Sequence, residues 1–196
     1  MQALLRSVVL TAVLFAICGV AYPIAGWALS QAAFHSQANG SITKDGSTLI
    51  GQPWNNGSSI NPMWFNGRPD PDVPLTLQLP GGKVVSGSSS ASNLGPRSKV
   101  LASDVAALVA EWKAVGVNNP TPDLATSSGS GIDPDITPAD ALVQVTMIAT
   151  ARHLAPSVLR SLIARETVSP QLGFLGSSYV NVLALNEALA ALPPHC

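Results

Sequence analysis

SVVLTAVLFAICGVAYPIAGWAL, residues 7–29, runs for 23 residues without a charged side chain, and its reading decides how the rest of the chain is organised. At about 1.5 Å rise per residue such a run extends roughly 34 Å as a helix, enough for a hydrocarbon core of about 30 Å with some tilt. It predicts a transmembrane helix over residues 7–30. Pro23 would break a soluble helix, whereas a membrane helix tolerates it where a neighbouring segment or a thickened helix interior re-satisfies the freed carbonyl. Gly19, Ala21, Gly26 and Ala28 leave notches through which another helix can approach, so Gly19, Pro23, Gly26 and Trp27 are the candidate partner contacts in the membrane. A secretory signal peptide also starts with a positive end and an apolar run, and Ala28-Leu29-Ser30 resembles a cleavage site. Signal apolar regions, however, span only about 7 to 15 residues, so an uncleaved anchor is the preferred reading. Arg6 precedes the span and the next basic side chain after it is Lys44. The positive-inside rule then predicts residues 1–6 in the cytoplasm and residues 31–196 outside.

Beyond the anchor, about 160 residues suit one domain by ordinary size. The chain carries a net charge of −1, and only 11% of its 196 residues are charged. With no basic cluster, nothing in the composition points to nucleic acid or an anionic membrane surface as a partner. Sixteen Gly and 16 Pro, concentrated between Asn39 and Pro138, indicate a loop-rich first half that still carries enough apolar residues to fold. Cys18 lies mid-span and Cys196 is the final residue, so the two cysteines do not form a disulfide framework. The expected fold is α+β: one N-terminal transmembrane helix, then a single extracytoplasmic domain with a small sheet and about four helices.

Along that domain, Gln31–Ser36 continues the anchor helix until Asn39-Gly40 breaks it, and Ser47–Gln52 reads as a short strand. Trp54, Trp64 and Phe65 punctuate a long loop and are expected to pin it to the body. Val73, Leu75, Leu77 and Leu79 alternate at period two, and Pro80-Gly81-Gly82 before Lys83-Val84-Val85 gives a hairpin whose first strand Pro74 confines to an edge. Ser86–Ser92 reads as a flexible linker, although Gly-rich loops can also cradle phosphate; the Walker A pattern fails because Val84 follows Lys83. Ser98–Val115 is helical, with Val100, Ala107, Leu108 and Val115 toward a core. Thr137-Pro138-Ala139-Asp140 is a helix start, with Thr137 as N-cap and the helix reaching Arg152. Pro156 opens a further helix to about Arg165. Tyr179-Val180 is strand-like, and Asn181 caps a last helix, Val182–Leu192, whose Val182, Leu185, Leu189 and Leu192 share an apolar face.

A catalytic reading needs a nucleophile beside a base. His35 lies next to the span, His195 next to the chain end and His153 at a helix end, and no Gly-x-Ser-x-Gly elbow occurs. Asp133 and Asp135 lack the remaining positions of a calcium loop and read as turn and capping carboxylates. The sequence therefore predicts no catalytic residue, no metal site and no cofactor bound by this chain itself.

The order of motifs resembles the KdpC family, the C subunit of the bacterial Kdp potassium-transporting ATPase. The resemblance spans nearly the whole chain: the single anchor, Ala38-Asn39-Gly40-Ser41, Leu49-Ile50-Gly51-Gln52, Phe65-Asn66-Gly67-Arg68-Pro69 and Ser92-Asn93-Leu94-Gly95-Pro96. Ser128 to Pro138, with Gln144 and Arg152 downstream, and the Val180-Asn181-Val182-Leu183-x-Leu185-Asn186 run complete it. The resemblance implies a non-catalytic accessory subunit with two partners in the same complex, a channel-like subunit that binds potassium and a second subunit that hydrolyses ATP; ATP and potassium belong to the complex. It also marks Asn39, Gly40, Gly51, Gln52, Gly67, Arg68, Pro69, Asn93, Gly131, Asp133, Gln144, Arg152, Asn181 and Asn186 as scaffold or contact residues. A nucleotide role ascribed to the family would fall on Ser86, Gly87, Ser92 and Asn93. Two departures stand out: Met147 where the family usually carries Arg, and Gly176-Ser177-Ser178-Tyr179 in place of Gly-Glu-Pro-Arg. The alternative reading of the residues alone is an anchored or exported ligand-binding domain unrelated to transport.

Overall fold

The computed structural model describes residues 2–52, 54, 60–69, 74–78, 84–87 and 89–192, with backbone alone for 74–78 and 84–87. The chain forms two compact units, Met1–Ser41 and Ile42–Cys196.

The first unit is a single long apolar helix, α1 (Gln2–Ala33), none of whose side chains is buried within the protein. Its length and composition suit a membrane span and exceed residues 7–30 at both ends. One turn is not α-helical: Ala16–Ala21 is a π-helix, the widened backbone that a proline one turn later favours. The helix does not run on to Ser36. It ends at Phe34 (φ −136°, ψ 44°), and a separate turn, α2 (His35–Ala38), follows before Gly40 turns the chain with φ 87°.

The second unit is α+β. Its elements are β1 (Pro74–Gln78), β2 (Val84–Gly87), α3 (Lys99–Ala114), α4 (Pro122–Ala125), β3 (Asp135–Ile136), α5 (Pro138–Arg152), α6 (Pro156–Glu166), β4 (Thr167–Val168), β5 (Tyr179–Asn181) and α7 (Val182–Ala190). β1 and β2 pair antiparallel with an irregularity at Pro74/Leu75, the edge behaviour expected of that proline. Val73, Leu79 and the Pro80–Lys83 turn lie outside the described residues. A second sheet, antiparallel in the order β3-β5-β4, carries the helices α5, α6 and α7; α6 packs against both α5 and α7. Ile148, Leu159, Val180, Leu185 and Leu189 are fully buried at their junction. Phe65 is also fully buried there, so the long loop is indeed pinned by its aromatic.

Local signals placed these helices. Thr137 Oγ1 accepts from Asp140 N–H while the Asp140 carboxylate accepts from Thr137 N–H, a complete capping box opening α5. Ser98 Oγ and Asn181 Oδ1 cap α3 and α7 in the same way.

Three expectations are corrected. Ser47–Gln52 is not a strand: only an Ile42–Ser47 bridge forms, and Gly51 N–H donates to the Ile132 carbonyl of a loop instead. On α3, Val100 and Ala107 are exposed and Leu108 and Val115 half-buried; the buried residue is Trp112, whose indole N–H donates to the Leu124 carbonyl at 2.9 Å. A buried indole needs that acceptor, and α4 supplies it; Leu108 and Val115 share the face of Trp112 as expected, whereas Val100 and Ala107 face away from it. Ser86–Ser92 is not a loose linker either. Ser86 and Gly87 end β2, while Ser90 N–H and Ser89 Oγ both donate to the Ser130 carbonyl.

Candidate functional site

The motif residues sort into a polar clamp and a cavity. The clamp holds residues 63–66, a segment that pairs with no strand among the described residues. Asn186, on α7 and fully buried, accepts from Phe65 N–H at 2.9 Å through Oδ1 and donates to the Phe65 carbonyl at 2.8 Å through Nδ2. Gln144, on α5 and fully buried, does the same to Asn66: Oε1 accepts from its N–H at 2.8 Å and Nε2 donates to its carbonyl at 2.9 Å. Each side-chain amide thus behaves as one rung of a β-ladder. Arg152, at the end of α5, donates from Nε to the Met63 carbonyl at 2.7 Å and from a terminal nitrogen to the Leu189 carbonyl at 3.2 Å. Its guanidinium lies 4.2 Å from the centre of the Trp64 ring. Burial lowers the basicity of Arg152, and the two carbonyls and the ring face replace the water it has lost. Gln144, Arg152 and Asn186 thus all bond to main chain of residues 63–66.

The clamp presents the next three residues, Gly67-Arg68-Pro69, to a cavity of about 260 Å³. Its wall also includes Gly51 and Gln52, Gly131 to Pro134, and apolar surface from Trp54, Leu108, Leu124 and Val182. Arg68 is the charged centre. One terminal nitrogen donates to the Ser127 carbonyl at 3.1 Å and lies 3.8 Å from Asp123; the other lies 3.8 Å from Asp133. Its Nε is buried without a hydrogen-bond partner, as is Gln52 Nε2, whose amide lies against Gly46 with no room for a Cβ between them.

Asp133 has a second task, accepting from Asp135 N–H at 3.1 Å. Asp135 in turn accepts from Asn181 Nδ2, which also donates to the Thr48 carbonyl, so Asn181 ties three segments together. Partial burial raises the Asp135 pKa most; the Asn181 bond opposes that rise and the nearby Asp133 charge adds to it. A raised folded-state pKa means the folded chain holds this proton more tightly than the unfolded chain. The stabilisation is complete below the ordinary carboxylate range and is lost as pH rises through the raised value. Asp135→Asn, which keeps an acceptor for Asn181, is therefore expected to raise the melting temperature of the full chain in detergent at pH 7. Solvent screening limits the gain to about 1–2 °C, and it should close as the pH is lowered toward 4 in thermal melts.

Of the remaining candidates, Gly67 and Gly131 line the cavity and the others lie elsewhere. Asn39 donates to the Gln31 side chain and the His35 carbonyl and shapes the turn after α1 with Gly40. Gly67 would tolerate a Cβ, at 3.8 Å from Val182. Gly131 (φ 70°) donates its N–H to Ser128 Oγ. Asn93 takes φ 53° in a turn where Ser92 Oγ accepts from Leu94 N–H, and neither lines the cavity. Ser86 and Gly87 belong to β2. Gly19, Pro23, Gly26 and Trp27 lie on α1, with nothing within 4 Å of a Cβ built at Gly26. Met147 is buried in the core, so its apolar side chain is simply packed there. Residue-level reading missed Asn66, Asp123 and Trp112. Asn66 stands inside a quoted motif, whereas Asp123 and Trp112 had no signal short of the fold. Among the described residues, no three His, Cys, Asp or Glu side chains come together as metal ligands.

Comparison with known proteins places this arrangement. The sequence model of the KdpC family, described as the K+-transporting ATPase c chain, matches residues 4–191. A Burkholderia cenocepacia protein named potassium-transporting ATPase KdpC subunit is 42% identical over 200 residues, covering 97% of each chain. The protein of the same name from Paraburkholderia xenovorans is 42% identical over 190 residues, 93% of each, and that of Gloeobacter violaceus 39% over 195 residues, 96% of each. With its anchor helix, its polar clamp and full-length relatives of one name, the chain belongs to the KdpC family.

Proposed function

We propose that this chain is the single-pass accessory subunit of an ATP-driven potassium uptake complex, and that it joins a channel-like, potassium-binding partner to an ATP-hydrolysing partner. The observation that carries this reading is the agreement of relatives, each named as a KdpC subunit of a potassium-transporting ATPase, over nearly the full length of both chains. The catalytic work then belongs to the partners, and this chain contributes binding surface. Arg6 before the span and Lys44 as the next basic residue favour a cytoplasmic N-terminus, with residues 31–196 on the outer face of the bacterial cytoplasmic membrane. From there the domain acts on the nucleotide affinity of the ATP-hydrolysing partner only by coupling through the rest of the complex.

The test is assembly. In cells expressing all subunits, detergent extraction and affinity capture of this chain should recover the channel-like and ATP-hydrolysing partners together, and a chain that purifies alone in quantity would sink the proposal. Orientation is checked by cysteine labelling in intact cells: a cysteine placed at Lys44 should react with an impermeant maleimide.

A second reading draws on the cavity around Arg68, whose two unpartnered donors, Arg68 Nε and Gln52 Nε2, suit a hydrogen-bond acceptor. It would make the domain an anchored ligand-binding module, and recovery of both partners in the captured complex argues against it.

A further inference from the structure

Pro23 has no N–H, and the turn that precedes it is wound in a different register from the rest of α1. In the π-helix Ala16–Ala21, Tyr22 N–H donates to the Ile17 carbonyl, five residues back. The next donor in that register would be Pro23, toward the Cys18 carbonyl, and proline has none. In the α-helical register Cys18 would instead receive Tyr22 N–H, but that group is taken by Ile17. The Cys18 carbonyl is therefore left without a main-chain donor from either register, and the Gly19 carbonyl, four residues before Pro23, loses its α-helical donor as well.

Cys18 is also the midpoint of the charge-free run from Ser7 to Leu29, the place in a bilayer where water is scarcest. The hydroxyls of α1 with assigned partners bond elsewhere: Ser7 to the Ala3 and Leu4 carbonyls, Ser30 to the Gly26 carbonyl. Acyl chains offer no donor. Gly19, next to the acceptor, carries no side chain of its own, and the Phe15 ring of the same helix lies against it, 3.5 Å from where a Cβ would stand.

We infer that the Cys18 carbonyl is a docking point for a transmembrane helix of a partner subunit, which donates a hydrogen bond to it from a hydroxyl, amide or indole side chain. This rests on the subunit reading above and gives the π turn a purpose: the widened backbone frees the Cys18 acceptor at mid-span. A partner helix is favoured over a second copy of this chain, because near that depth α1 itself offers only the Tyr22 hydroxyl and the Cys18 thiol.

Isotope-edited infrared spectroscopy reads this bond directly. Full chain carrying Cys196→Ser is labelled with ¹³C=¹⁸O at cysteine, so that Cys18 alone reports, and is measured in lipid nanodiscs, by itself and reconstituted with unlabelled partners. The labelled carbonyl band should move to lower frequency on forming the complex. A band that does not move in a complex that demonstrably assembles overturns the inference and leaves the subunit reading intact; failure of the labelled chain and the parent alike to assemble fails the subunit reading itself. A shift that instead follows the concentration of the lone chain assigns the donor to a second copy and overturns the partner. Pro23→Ala, which restores the missing N–H, should weaken association with the partners about threefold to tenfold. Gly19→Leu should do the same by blocking approach, while residues 42–196 melt as in the parent. Parent-like association of both variants overturns the proposal as well.

Discussion

Asn186→Leu is expected to destabilise the domain by about 2–5 kcal/mol, a loss of roughly 10 °C in melting temperature. Leucine repeats the branched heavy-atom arrangement of asparagine with larger methyl groups and prefers the apolar surroundings, so packing alone predicts only a modest change. The hydrogen bonds decide the sign. The Asn186 amide satisfies both the N–H and the carbonyl of Phe65, at 2.9 and 2.8 Å, and Phe65 is fully buried. A buried backbone group left unpaired costs about 1–3 kcal/mol, and here two would be left at once. Thermal unfolding of the full chain in detergent measures the effect, and a loss below about 1 kcal/mol would show that water or a shifted segment replaces the amide. Gln144→Leu should behave alike through Asn66. Because the two amides hold consecutive residues of one segment, the double variant should lose less than the sum of the two, since the segment detaches once.

That clamp also shows where reading the residues reaches its limit. Helix ends were legible because their signals are local: Thr137 and Asp140 are three residues apart, and the cap on α7 is formed by Asn181 on Ala184. The apolar face Val182, Leu185 and Leu189 followed from periodicity and is buried as expected. Gln144 and Asn186 were singled out by family resemblance alone, and their task was invisible, because each bonds main chain 78 and 121 residues away. Of the three-stranded sheet, Tyr179-Val180 reads as strand-like and lies in β5, while β3 and β4 escaped for a related reason. Its strands are two or three residues long, too short to display a period of two, and their pairing is imposed by the helices that flank them. On α3, periodicity placed Leu108 and Val115 on the inner face beside Trp112 but wrongly added Val100 and Ala107, which are exposed. In the anchor, Pro23 announced that the carbonyl four residues back must lose its donor, yet only the structure reveals the π turn and adds the Cys18 carbonyl to it.

Gly51→Ala is expected to cost about 2–4 kcal/mol, or to release residues 46–52 from the domain, because one methyl group has nowhere to go. The position is not one of left-handed backbone, so the argument is purely steric. A Cβ on residue 51 would lie inside the contact distance of the Asp133 carbonyl oxygen, 2.9 Å from its carbonyl carbon and 3.0 Å from that of Ile132. The opposing backbone cannot easily withdraw. Asp135 is paired with Asn181 in the sheet, the Pro134 carbonyl accepts from Val182 N–H at 3.0 Å, and Asp133 Oδ1 holds Asp135 N–H. The mobile partner is then the Gly51 side, and moving it breaks the 2.7 Å bond from Gly51 N–H to the Ile132 carbonyl and opens the wall beside Arg68 and Gln52. Gly67→Ala supplies the control: its Cβ would meet only Val182, at an ordinary 3.8 Å, so the same change there should fall within about 0.5 kcal/mol of the parent. Hydrogen exchange separates the two outcomes at Gly51. Faster exchange confined to residues 46–52 and 131–134 marks local release, whereas a uniform increase marks global destabilisation; a variant indistinguishable from the parent in both melting and exchange would mean that the close backbone approach at Gly51 is not part of the folded structure.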